Sequence, residues 1–316
     1  MKIIFVLLFI LSACASNDTT KETNLRNTMS KRVVSSAEDD FTWVEQLDFD
    51  KKTEEKYQAN KDGFDFSSKD TAENALLQES LVLLSPAKLE ETLGKTNDPL
   101  VKINVKCYQG KFEDAFKIVD AEYEKFKNNT SYWNQIGTCY FLKLDYAKAI
   151  LFYNKSRDLD SKFIPPVNNL GVVYQKQGKF QKALAAFKLA SDLNNFSVTP
   201  TYNLAQLYLK FGTVGKALPI FQGLYKKSPN DQVLAFALAT SLLIRGDYQA
   251  AADIFSKFSK GNLANPAMGL NYALTLKYLN RPKDAMTVFS NVNSANDLLT
   301  GPLGEYAAKV ENYIRN

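Results

Sequence analysis

Residues 164–197 read IPPVNNLGVVYQKQGKFQKALAAFKLASDLNNFS, and this stretch decides the fold. Apolar residues fall at Val167, Leu170, Val173 and Tyr174, then at Phe180, Ala183, Leu184, Phe187 and Ala190. Both runs have the three-to-four spacing of an amphipathic helix. Gly178 lies between them, and glycine accepts the left-handed backbone that closes a helix C-terminus. The stretch is therefore a helix, a tight turn and an antiparallel helix.

The pattern recurs on either side with a period of 34 residues. Alanine returns at Ala115, Ala149, Ala183, Ala217, Ala251 and Ala285, and small residues at Gly137, Gly171, Ala205, Ala239 and Ala273. A bulky residue follows each alanine by four: Val119, Tyr153, Phe187, Phe221, Phe255 and Phe289. The turn position holds Gly110, Gly178, Gly212, Gly246 and Asn280. A fixed period in this range marks a solenoid built from one supersecondary unit. The small residue and the alanine let the two backbones of a hairpin approach, and the bulky residue fills the space toward the next repeat. One hairpin cannot bury its apolar face alone, so stability comes from stacked neighbours.

These positions resemble the tetratricopeptide repeat family, whose pattern sets Trp, Leu-Gly, Tyr, Ala, Phe, Ala and Pro within 34 residues. Unit 130–163 carries Trp133, Ile136-Gly137, Tyr140, Ala149, Tyr153 and Ser156. Unit 164–197 carries Leu170-Gly171, Tyr174, Ala183, Phe187 and Ala190; unit 198–231 carries Leu204-Ala205, Tyr208, Ala217, Phe221 and a closing Pro229. Units 232–265 and 266–299 keep less of the pattern, and unit 96–129 keeps Gly110, Phe112 and Ala115. The resemblance implies an all-α solenoid, a right-handed superhelix of about six helix-turn-helix repeats, over 96–299. A capping helix is expected in 300–316, where Leu303, Tyr306, Ala307, Val310 and Ile314 share a face. A helical pair is expected in 69–95, with one stripe from Ala72 to Leu84 and a second helix opened by Ser85-Pro86 and ending near Gly94.

The first residues read as an export leader. Lys2, the apolar run Ile3–Leu11 and Ser12-Ala13 form a signal peptide over 1–13, too short to span a bilayer. Leu11-Ser12-Ala13-Cys14 looks like a bacterial lipobox, so lipid is expected on Cys14; the competing reading is an ordinary signal peptide with an incidental cysteine. Ala15 in place of an aspartate favours the outer membrane, periplasmic face, in a Gram-negative cell. Several acyl chains would anchor the chain stably. Residues 14–68 then read as a flexible polar linker. Its aromatic island Phe41, Trp43, Leu47, Phe49, Phe64 and Phe66 either packs on the first helices or docks a partner. Residues 38–95 hold fifteen acids against seven bases, and 96–316 hold 27 bases against seventeen acids. The acidic arm either screens the array's groove or is solvated like the rest of the surface.

Chemistry is scarce. The chain has no histidine, which removes His-based triads and the commonest metal ligand. Besides Cys14 only Cys107 and Cys139 are available, too few for a zinc site. No metal, cofactor or catalytic group is expected, and the reading is a non-enzyme. Cys107 and Cys139 sit in the first helices of neighbouring repeats, two repeat positions apart. They are read as small core residues, with a disulfide as the alternative that an oxidising compartment permits.

The family resemblance places partner-binding residues on the first helix of each repeat, along a concave face. They are Asn134, Asn168, Asn169, Lys176, Tyr202, Asn203, Gln206, Lys210, Phe236, Asn271 and Tyr278, with asparagines for a peptide backbone and aromatics for apolar anchors. The two-lysine carboxylate clamp of chaperone-binding members is missing, its places being taken by Asn168, Val172, Asn203, Val233 and Ala237. The expected partner is an envelope protein, held as a peptide or helix; nucleic acid is not expected. Lipobox plus repeats is similar to pilotin-type and pilus-assembly lipoproteins, which implies a scaffold for type IV or Flp pili and their secretins. Adaptors of cell-wall enzymes, motility or secretion machinery are the alternative.

Overall fold

A computed structural model describes residues 86–193, 198–295 and 301–316. The leader, Cys14, the linker, the stripe from 72 to 84 and Ser85 lie outside the described residues. Those described form fifteen α-helices and no strand: α1 (Pro86–Lys95), α2 (Pro99–Tyr108), α3 (Phe112–Phe126), α4 (Thr130–Leu142), α5 (Tyr146–Leu159), α6 (Ile164–Lys176), α7 (Phe180–Leu193), α8 (Val198–Lys210), α9 (Val214–Lys227), α10 (Gln232–Arg245), α11 (Tyr248–Phe255), α12 (Lys260–Leu263), α13 (Pro266–Tyr278), α14 (Pro282–Ala295) and α15 (Gly301–Arg315). They form two compact units, 86–201 and Tyr202–Asn316, divided inside α8.

In the first unit the hairpin turns share one hydrogen-bond pattern. Gly110 N donates to Cys107 O and Lys111 N to Lys106 O; Leu144 and Asp145 repeat this toward Phe141 and Tyr140, and Gly178 and Lys179 toward Gln175 and Tyr174. This is the Schellman closure, which needs a left-handed residue after the helix. Gly110 and Gly178 adopt it at φ 74°, and Leu144 at φ 63°. Side chains start the helices: Asp98 accepts from Leu100 N at 2.8 Å, and Asn129 from Tyr132 N at 3.0 Å.

The period-34 residues form the core. Ala115, Ala149 and Ala183 are fully buried, as are Tyr153 and Phe187. A Cβ on Gly137 would lie 2.6 Å from Tyr153 Cδ1, and one on Gly171 2.5 Å from Phe187 Cε1. Each bulky ring therefore lies over the glycine of its own repeat, where the pattern suggested that it reaches for the next one. Cys107 and Cys139 form a disulfide with Cα atoms 5.1 Å apart. The reading as unbridged core residues is thus corrected. Neighbouring first helices stack with an axial offset, which brings two unequal repeat positions side by side.

The second unit keeps the same turns at Gly212, Gly246 and Asn280, with φ values of 71°, 97° and 60°. Its middle hairpin departs from the repeat. Helix α11 stops at Phe255, and the four-residue α12 follows, capped by Ser259 Oγ accepting from Asn262 N. Phe258 stands two periods after the fully buried Ala190 and one after Leu224, which is buried in the full-length α9. The chain turns out of the helix there and Phe258 joins the core cluster of Phe221, Leu238 and Phe255. Downstream, α12 runs against α13 so closely that a Cβ on Gly269 would overlap the Leu263 carbonyl oxygen and Val292 Cγ2. Helix α15 closes the unit, burying Tyr306, Ala307, Val310 and Ile314, with Leu303 half-buried.

Candidate functional site

The first helices of the repeats, α4 and α6 in one unit and α8 (from Tyr202), α10 and α13 in the other, carry the residues expected to face a partner. In the first unit the asparagines are enclosed. Asn134 and Asn169 are fully buried, and Asn168 nearly so. Asn169 Nδ2 donates to Asn134 Oδ1 at 3.1 Å, and Asn168 Nδ2 to Asn169 Oδ1 at 3.4 Å. Below them Thr138 Oγ1 donates to Asn134 O and lies 3.1 Å from the Tyr153 hydroxyl, whose phenol burial pushes up. An amide carries both donor and acceptor, so an asparagine facing a neighbouring helix can bridge the two. Lys176 is exposed, and Phe141 and Val172 are half-buried.

The second unit repeats this arrangement at its far end. Asn271, fully buried, donates through Nδ2 to Thr240 Oγ1 at 3.3 Å and accepts from the Tyr306 hydroxyl at 2.8 Å. The expectation of asparagines open on a groove is therefore corrected for Asn134, Asn168, Asn169 and Asn271: all four are buried, Asn134, Asn169 and Asn271 bond across helices, and Asn168 bonds its neighbour Asn169.

The aromatic positions differ from them. Tyr202 is half-buried; its ring meets Phe221 edge-on at 5.7 Å and its hydroxyl accepts from Gln206 Nε2 at 2.7 Å. Burial pushes its phenol up to about 12, opposed by the Gln206 hydrogen bond and aided by Asp231. Phe236 is half-buried over Phe255, with centroids 6.4 Å apart. Asn203 is half-buried and Lys210 exposed on the same helix as Tyr202. Tyr278 stacks on Tyr248 at 4.5 Å, with Tyr313 at 5.5 Å. Beside that stack an open dimple of about 440 Å³ is lined by Gly246, Asp247, Tyr248, Gln249, Ala250 and Leu279. Tyr202, Gln206 and Phe236 thus offer partly accessible apolar and hydrogen-bonding groups on successive first helices, the chemistry that holds an amphipathic peptide.

Among the described residues no group of three His, Cys, Asp or Glu could hold a metal, and no helix is long and apolar enough to cross a membrane. Sequence reasoning missed three exposed leucines, Leu144, Leu151 and Leu159. The signal was present: Leu144 occupies the register position that Gly or Asn fills in the other five hairpins.

Stacked helix hairpins with glycine turns, a period of 34 and a small-residue seam define a helical-repeat protein of the interaction-scaffold class. The profile of the tetratricopeptide repeat family matches residues 168–232 and 202–264. Its fold is similar to that of PilF from Pseudomonas aeruginosa, with TM-score 0.59 and 16% identity over 71% of this chain and 98% of that one. It is also similar to YrrB, a TPR protein with an unusual peptide-binding site, with TM-score 0.51 and 18% identity over 61% of this chain and 97% of that one. Cut9 bound to Hcn1 in the APC/C hetero-tetramer gives TM-score 0.55 and 17% identity over 72% of this chain and 46% of that one. At these identities the likeness is one of fold. No curated protein sequence matches the chain.

Proposed function

We propose that this chain is a lipid-anchored, extracytoplasmic scaffold that holds a segment of another envelope protein during assembly of a machine such as a type IV or Flp pilus or its secretin. The observation that carries the proposal is the Cys107–Cys139 disulfide, because such bonds persist in oxidising compartments and are rare in the cytosol. It agrees with the leader Lys2–Ala13 and the lipobox ending at Cys14. The likeness of fold to PilF supports the pilus reading, and the peptide-binding site of YrrB supports a peptide as the occupant. In this reading the protein is not an enzyme and binds no nucleic acid. Tyr202 and Phe236 serve as anchors, with Gln206, Asn203, Lys210, Lys176 and Tyr278 as flanking contacts.

The test is a crosslinked pull-down of the full-length protein from its native membranes, read by mass spectrometry. Recovery of a secretin or pilus subunits, lost when Tyr202→Ala and Phe236→Ala are combined, is the expected result. Recovery of cell-wall synthases or hydrolases instead transfers the proposal to an adaptor of those enzymes.

A further inference from the structure

The hairpin of α4 and α5 holds a feature that packing does not explain. Leu144 sits at φ 63°, a left-handed conformation that L side chains with a Cβ avoid, and every other hairpin turn uses Gly or Asn there. It gains no burial in return, being 62% exposed. The repeat needs the left-handed turn but not a leucine in it, which is a reason to ask what the leucine serves.

It stands at the foot of an apolar and basic stripe. Lys148, Leu151, Lys155 and Leu159 follow one another on α5 at spacings of three and four, so they share one helix face. Leu151 is 41% and Leu159 37% exposed, and Lys143, Lys148 and Lys155 are exposed beside them. The acids nearby in sequence are engaged. Asp145 pairs with Lys148 at 3.5 Å, Asp158 with Arg157 at 3.3 Å, and Asp160 accepts from Lys162 N at 2.9 Å. Lys143 and Lys155 meet no carboxylate among the described residues. They lie over aromatic rings instead, Lys143 over Phe112 at 5.4 Å and Lys155 over Trp133 at 5.9 Å. The face therefore asks for a ligand with large apolar side chains and carboxylates together.

We infer that this stripe docks residues 38–50 of the chain itself. That segment, EDDFTWVEQLDFD, holds six carboxylates, no base, and the apolar residues Phe41, Trp43, Val44, Leu47 and Phe49. The 35 residues from Lys51 to Ser85 span on the order of 100 Å when extended, at about 3.3 Å each, so reach is no obstacle. Docking places the arm on the second helix of its hairpin, away from the first-helix residues assigned to a partner. It is independent of the lipid on Cys14.

The test puts a photocrosslinker at the stripe of the purified full-length chain, as Leu151→p-benzoylphenylalanine, with Lys155→p-benzoylphenylalanine as an independent probe. Tryptic mass spectrometry is expected to find intrachain crosslinks within residues 38–50. Their yield should fall several-fold when Asp39, Asp40 and Asp48 become Asn and Glu45 becomes Gln, and fall again in high salt. Leu144→Gly should lower the yield while helicity is retained. Crosslinks to another part of the chain, to a second copy, or to phosphatidylglycerol vesicles added to the sample would overturn the inference, as would their absence at both probe positions.

Discussion

Helices α7 and α11 carry the same core signature in different units, yet one runs fourteen residues and the other eight. Ala183 and Phe187 in the first correspond to Ala251 and Phe255 in the second, and all four are fully buried. What differs is the next turn: Ala190 against Phe258. The alanine–aromatic pair secures the hairpin seam in both, whereas the size of the residue one turn later does not fix the helix end, since Leu224 in α9 and Val292 in α14 fill that place in helices of fourteen residues. A repeat register therefore predicts where helices meet more securely than where they end.

The largest effects should come from the seam itself. Phe187→Ala removes a ring enclosed over Gly171 and should cost about 4 kcal/mol, whereas Phe258→Ala, at a looser site, should cost roughly half as much. Urea unfolding of both variants checks the order; equal losses would break the comparison.

The units should also separate under reducing conditions. The Cys107–Cys139 bridge, with a sequence separation of 32, constrains only the first unit and should contribute about 3 kcal/mol there. Cys107→Ser with Cys139→Ser should lower the unfolding midpoint reported by probes in 86–201, and leave a probe in Tyr202–Asn316 nearly unmoved.

Gly269→Ala sharpens the contrast from the other side. Its new Cβ meets a backbone carbonyl that has little room to yield, so a loss of about 2 kcal/mol is expected. A neutral result would mean that α12 is free to move off α13. The smallest effect has the opposite sign. Leu144→Gly relieves a left-handed leucine and should raise stability by about 1 kcal/mol in the same urea assay.

The parts of the fold legible in the sequence were those enforced by local backbone or seam chemistry. Gly110, Gly178, Gly212, Gly246 and Asn280 all take the left-handed turn that their residue types announce. Ala115 through Ala285 are all fully buried. Features set by how one helix stacks on the next were not legible. The disulfide joins unequal repeat positions, and an offset between stacked helices is invisible in a strict 34-residue register. Stacking also explains the asparagines, whose partners on neighbouring helices lie 35 residues away for Asn169 and Asn134 and 31 for Asn271 and Thr240. Asn271 is thus spent inside the stack when the register alone suggested an open groove. Leu144 escaped for a different reason, because the repeat geometry forces its turn against its own preference.

The measurement that tests the central claim most directly is the intact mass of the protein purified from its native membranes, taken before and after thiol alkylation. An exported lipoprotein predicts a chain beginning at Cys14 with acyl groups attached, and Cys107 and Cys139 unreactive until reduced. A chain retaining Lys2–Ala13, with both thiols alkylated at once, would contradict it.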